Sequence, residues 1–176
     1  MRIGAITLAI DSRVENVSLI GLAVNKICAS IPLSDQGAYE AEVSVVEAVN
    51  NVIKHAYGNE PGHTVEVVVT VGQSAVTFEV CDTGRPLERF DVRLPPVDSD
   101  DYESLPEGGR GLYIMHAFSD QVRYERQGGR NVLTLVKLFP GTVRLPEPAV
   151  PAPAGPAQRA SAATAPSSSS KIRKTR

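Results

Sequence analysis

The chain has no tryptophan, two cysteines in 176 residues and no apolar stretch long enough to cross a bilayer. Cys28 and Cys81 lie far apart inside apolar runs, so they read as buried free thiols in a reducing compartment and not as a disulfide framework. The N-terminal MRIGAITLAIDSRVEN lacks an apolar core after a basic start, which excludes a secretory leader of the usual form and places the protein in the cytoplasm, with no membrane partner. No internal repeat is present. Basic charge is scarce where a fold is expected. Residues 141–176 hold six Lys or Arg and one acid, leaving twelve basic and nineteen acidic residues for the first 140, so the body is near −7 and the tail near +5. An acidic body excludes direct nucleic-acid binding by the folded part, because phosphate contacts need clustered cations.

What is present divides into two parts: a domain over residues 1–140, ample for one core, and a Pro-, Ala- and Ser-rich tail over 141–176 ending in KIRKTR. The tail has too few apolar residues to fold. In the domain, Ile3 to Ile10 reads as a strand. Val14 to Ile31 reads as a helix with apolar residues at Val17, Ile20, Leu22, Val24 and Ile27, ended by Pro32. A second helix runs from Ala38 to about Tyr57 and is closed by Gly58 and Asn59. Thr64 to Val71 and Ala75 to Cys81 form a hairpin, and Val122 to Arg126 and Val132 to Phe139 form another through Gly128 and Gly129. Between the hairpins, Gly84 to Gly109 has no period, and a short helix starts near Arg110 carrying Leu112, Ile114 and Met115. The order β, α, α, β, β, loop, α, β, β predicts an α+β fold. Its two layers are a mixed, mostly antiparallel sheet and helices covering one face of it.

Three short strings carry chemistry: EAVNNVIKHAY from Glu47, CDTGRPL from Cys81 and GGRGLYIM from Gly108. On the second helix Val45, Val49, Val52 and Ala56 share a stripe, while Glu40, Ser44, Glu47, Asn51 and Lys54 gather opposite. Such a face is either solvated or a polar site. Asn50 and Asn51 each cost about 0.5 kcal/mol relative to Ala in a helix interior, so a purely structural helix gains little from the pair. An amide oxygen suits Mg²⁺, which takes one or two protein groups plus phosphates and water. Glu47, one turn earlier, can then take a proton from an attacking hydroxyl. Lys54 reads equally as a solvated charge, and His55 as structural.

Asp82 ends a strand, where a carboxylate can accept a hydrogen bond from an exocyclic amine such as that of adenine, with Gly84 letting a base lie close to the backbone. An ordinary Asp-x-Gly turn is the alternative. Gly108, Gly109 and Gly111 around Arg110 make either an anion site at a helix start or a hinge with a cap. The aperiodic stretch before them is long enough to suggest a lid over a bound nucleotide.

These strings, in this order, resemble the N, G1 and G2 boxes of the GHKL ATPase superfamily, which includes gyrase, histidine kinases and MutL. Within it the chain is most similar to the small anti-sigma factor serine kinases of bacterial partner switching, over about residues 5 to 139. The resemblance implies a Bergerat-type ATP-binding fold with ATP and Mg²⁺ as cofactors. It implies a general base at Glu47, a Mg²⁺ ligand at Asn51, an adenine contact at Asp82 and phosphate contacts at Gly109 and Gly111. Lys54, Gly84, Arg110 and Leu112 are further nucleotide-binding candidates. The implied partners are an anti-anti-sigma (STAS-type) protein, phosphorylated on a serine, and a sigma factor or equivalent regulator held inactive, with a homodimer as the form in which family members often act.

The chain departs from the pattern at three places. Pro86 stands where many members have a second Gly in the G1 box. The lid is acidic at Asp98, Asp100, Asp101, Glu103 and Glu107, with no basic residue between Arg93 and Arg110, so a lid contact to a terminal phosphate falls to Arg110. The last hairpin reads GGRNV, with Asn131 where a small hydroxyl residue is often seen. Two rivals remain. A histidine-kinase catalytic domain shares the boxes, but the region before Ala38 holds no His to accept phosphate. A non-catalytic, ATP-responsive module would sequester its partner stoichiometrically.

Overall fold

A computed structural model describes residues 4–87 and 107–142. The expected tail and most of the lid stretch, including Asp98, Asp100, Asp101 and Glu103, lie outside the described residues.

The strands are β1 (Gly4–Asp11), β2 (Thr64–Val71), β3 (Ala75–Asp82), β4 (Gln121–Gln127) and β5 (Arg130–Leu138). They form one sheet in the order β1-β2-β3-β5-β4 with every pairing antiparallel, so the mixed sheet expected from the sequence contains no parallel pair among these strands. Period-2 alternation sets its faces. Val65, Val67 and Val69 of β2, Val76, Phe78 and Val80 of β3, and Leu133 and Leu135 of β5 all point into one core. The tight turn before β5 is fixed chemically: Gln127 pairs with Arg130, and the two intervening residues, Gly128 and Gly129, have φ of 58° and 85°. Positive φ at both central positions is the hairpin turn that only glycine adopts readily.

The helices are α1 (Val17–Cys28), α2 (Asp35–Asn51) and α3 (Glu107–Phe118), and α2 packs against both others. Three helix expectations need correction. The first helix is shorter than Val14 to Ile31: a 3-10 turn over Val14–Asn16 precedes α1, and the chain turns at Ala29, ahead of Pro32. Of its apolar residues Leu22 is 67% exposed, because Val17, Ile20, Gly21, Val24 and Cys28 make the buried stripe. The second helix starts at Asp35, three residues before Ala38, since the Ser34 hydroxyl accepts the Gly37 N–H at 3.0 Å and caps it. α3 begins at Glu107, so Gly108, Gly109 and Gly111 lie within its first turns.

The polar face of α2 is only partly open to solvent. Ser44 is 1% exposed, and Glu40 is ion-paired with Lys137 of β5, whose ammonium also donates to the Phe118 carbonyl at 2.7 Å. Lys137 thus ties the end of α3 to α2 and to the sheet.

Candidate functional site

The site lies where the C-terminal end of α2 meets the ends of β3 and β5. Glu47 and Asn51 are one helical turn apart and both half-buried. Beyond Asn51 the helix continues but widens into a π turn over Val52–Ala56, with Tyr57 N–H donating to the Val52 carbonyl at 3.0 Å, five residues back. It closes through Gly58 and Asn59, both at φ 63°, and an Asn59 N–H to Ile53 carbonyl bond of 2.8 Å. Tyr57, the last residue of the first motif, is buried, and its hydroxyl donates to the Thr64 carbonyl at 3.0 Å and accepts the Thr83 N–H at 3.1 Å. It holds the second motif from below.

The second motif is anchored on all sides. Arg85 N–H donates to the Ala56 carbonyl at 3.0 Å. At Gly84 an added Cβ would sit 2.6 Å from that same carbonyl oxygen. The glycine is therefore needed for backbone to pass backbone. Asp82, 7% exposed, accepts the Gly84 N–H and the Asn131 amide, each at 2.8 Å and both on Oδ1, which leaves Oδ2 without a described partner. Asn131 stands opposite Asp82 in the β3–β5 register and is 1% exposed. It also lines the cavity, and its amide is committed to Asp82 and the Gly84 carbonyl. Tyr124 on β4, also missed by the sequence reading, donates its hydroxyl to Asn131 Oδ1 at 3.0 Å.

The third motif meets the first at Gly111. A Cβ built there would lie 2.7 Å from Glu47 Oε2 and 3.4 Å from both side-chain heteroatoms of Asn51. Only a residue without a side chain brings α3 this close. Gly109, by contrast, has nothing within 4 Å of an added Cβ, so no steric argument applies to it. A cavity of about 150 Å³ opens between these elements. Asn51, Asp82 and Leu112 line it together with His55, Ala48, Met115, Leu133 and Tyr124, whereas Lys54, which is exposed, Gly109 and Arg110 do not. The wall is mainly apolar and carries the Asp82 carboxylate, the Asn51 and Asn131 amides and Arg85, which suits a flat heteroaromatic ring with a polar extension.

The remaining perturbed groups belong to packing. Burial, then the Glu42 charge, pushes the Cys28 thiol up to about 11. Burial also raises Cys81, against the lowering effect of Arg130. Both cysteines are free, buried and kept protonated, so neither is set up as a nucleophile. Hard oxygen donors for a cation are present in Glu47 and Asn51. No group of three or more His, Cys, Asp or Glu suited to a metal exists among the described residues. Any ion held by Glu47 and Asn51 would therefore share its coordination with a ligand.

A helix-plus-sheet fold with this cavity under its second helix is the architecture of a nucleotide-binding ATPase domain. The family model for the histidine kinase-like ATPase domain matches residues 10–137, and the chain belongs to that family. Among curated proteins it is similar to the anti-sigma F factor of Clostridium acetobutylicum, 26% identical over 126 residues covering 70% of this chain and 85% of that protein. It is also similar to the serine-protein kinase RsbW of Listeria monocytogenes, 29% identical over 133 residues covering 73% and 85%. The crystal structure of the RsbU and RsbW domains of a Mycobacterium tuberculosis protein shares the fold with a TM-score of 0.55 at 15% identity, over 77% of this chain. This chain spans about a third of that protein, 32%. No helix among the described residues is long and apolar enough to cross a membrane.

Proposed function

We propose that the chain is an ATP- and Mg²⁺-dependent protein-serine kinase that acts as an anti-sigma factor, phosphorylating a serine of an anti-anti-sigma (STAS-type) partner and sequestering a sigma factor or equivalent regulator in the cytoplasm. The observation that carries the reading is the close approach of Gly111 to Glu47 and Asn51, which seats the third motif on the first beside the Asp82 cavity. Two curated relatives named for anti-sigma and serine-kinase activity support it.

The base enters the cavity with its amine toward Asp82 and its faces against Leu112, Met115 and Leu133. Asn51 holds Mg²⁺, which when bound neutralises charge on the phosphates. The N–H groups of the first turn of α3, Gly109 among them, are taken to meet the phosphate oxygens, and Arg110 on the same turn and Arg85 in the cavity wall are the candidate cations for the phosphates. Glu47 takes the proton of the partner's serine as its oxygen bonds to the terminal phosphorus and the bond to the β-phosphate oxygen breaks, releasing ADP. Lys54 lies on the exposed side of the π turn and serves at most the phosphate end. The nucleotide domain runs to about residue 140, and the tail beyond it stays outside the chemistry.

Calorimetric titration with ATP and Mg²⁺ tests the site. Wild-type binding that is abolished in Asp82→Ala, and that needs metal only while Asn51 is present, is the expected result. Absence of binding by the wild type sinks the kinase and returns the chain to a stoichiometric binder.

A further inference from the structure

A directional chain of hydrogen bonds runs from the backbone of Leu87 to Asp82. Leu87 N–H reaches the Tyr124 hydroxyl at 3.0 Å. A backbone N–H can only donate, so the hydroxyl accepts there, and it donates to Asn131 Oδ1, 3.0 Å away. The Asn131 amide is thus engaged at both ends. Its NH₂ group points to Asp82 Oδ1 at 2.8 Å and to the Gly84 carbonyl at 3.2 Å. Oδ1 also takes the Gly84 N–H at 2.8 Å. With two donors on Oδ1, the buried carboxylate is held in one rotamer and offers the cavity Oδ2 alone.

We propose that Asn131, oriented by Tyr124, is the positioning residue that sets base specificity, by holding Asp82 so that a single acceptor oxygen meets a 6-amino purine and rejects a 6-oxo one. The inference rests on the nucleotide reading of the cavity and adds to it the residues that make that reading selective. A 6-amino group donates to Oδ2, whereas a 6-oxo group places an acceptor against an acceptor. Without the Tyr124 hydroxyl the buried Asn131 Oδ1 loses its donor and the amide its anchorage, and without Asn131 the carboxylate keeps only the Gly84 N–H and rotates from its aligned position.

The test is titration of the full chain with ATP and with inosine triphosphate, both with Mg²⁺, for the wild type, Tyr124→Phe and Asn131→Leu. The wild type is expected to prefer ATP by about 50-fold or more, since a site built to bond a polar group strongly rejects an analogue that lacks it. In both variants ATP affinity should fall about tenfold, the scale of a lost buried hydrogen bond, while inosine triphosphate affinity stays within about twofold or improves. Tyr124→Phe keeps the ring and its packing, so it carries the test if Asn131→Leu does not fold. Equal losses for both nucleotides would make the pair merely structural and overturn the inference. An unchanged preference would overturn it while leaving ATP binding intact. No binding of either nucleotide by the wild type would overturn the site and the inference together.

Discussion

Glu40 and Glu47 stand seven residues apart on α2, two turns at 3.6 residues each, and so on nearly the same face of the helix. Their surroundings differ. Glu40 meets Lys137 and accepts a hydrogen bond from Gln36 at 3.0 Å. Glu47 meets the missing side chain of Gly111, and no hydrogen bond or ion pair engages it among the described residues. One helix thus carries an acid used for packing and an acid kept open for chemistry. The separation is made by the partner element: β5 supplies a cation to the first, and α3 supplies a glycine to the second.

Exchanging the two acids for amides is the strongest way to break the comparison. Glu47→Gln removes the proton acceptor and should lower phosphate transfer to a partner serine about 10²- to 10⁴-fold, with ATP affinity and unfolding temperature near wild type. Glu40→Gln should leave transfer within a few-fold and lower stability instead. Equal effects on transfer would show that the two acids are not functionally distinct.

Gly111→Ala sharpens the contrast from the other side of the gap. The new methyl group would press on Glu47 Oε2, at 2.7 Å before relaxation, and a flexible carboxylate moves aside more cheaply than backbone does. Alanine is also favoured over glycine in a helix by about 1 kcal/mol. Thermal unfolding should therefore rise or stay level while transfer falls about 100-fold, the scale of an ångström-sized misplacement of a catalytic group. A fall in both would mean that the glycine serves packing alone.

The legibility of these features in the sequence follows the range of the interactions behind them. Strands with strict alternation, such as β2 and β3, are readable from local pattern, and so is the Gly128-Gly129 turn, whose two residues dictate its geometry. Asn51 and Asp82 stand out as candidates because an amide in a helix interior and a carboxylate at a strand end are choices that ask for a reason, and Glu47 follows from its place one turn before Asn51. Asn131, Tyr124 and Lys137 are not readable in this way. Each acts on a residue far along the chain, Lys137 on Glu40 across 97 positions and Asn131 on Asp82 across 49, and only the sheet order brings them together. The packing role of Gly84 is hidden for the same reason, because the carbonyl it must pass belongs to Ala56. The early start of α2 was local after all, in the Ser34 cap, and the strength of the apolar stripe further along drew the boundary inward.

Lys137→Met tests the structural half of the comparison and has the smallest expected effect. At Glu40 burial raises the carboxyl's affinity for its proton, but the hydrogen bonds from Lys137 and Gln36 and the Lys137 charge outweigh it, so the group is held below its ordinary value. A depressed folded value means that the unfolded chain takes up the proton first as pH falls. The pair's contribution is thus fully present above the ordinary Glu range, near about 4.3, and is lost as pH falls through the folded value. Both side chains are about one-fifth exposed, at 21% and 18%, which places the contribution between a surface and a buried pair. At pH 7 the variant should lose about 1 to 2 kcal/mol of unfolding free energy. In the variant only the Gln36 hydrogen bond still opposes burial, so the Glu40 value moves up and acidification below about pH 5 should narrow the gap between the two proteins. A gap that stays constant from pH 7 to pH 4 would assign the loss to the Lys137 contact with the Phe118 carbonyl and the packing of its stem, leaving the charge of Glu40 without a structural role.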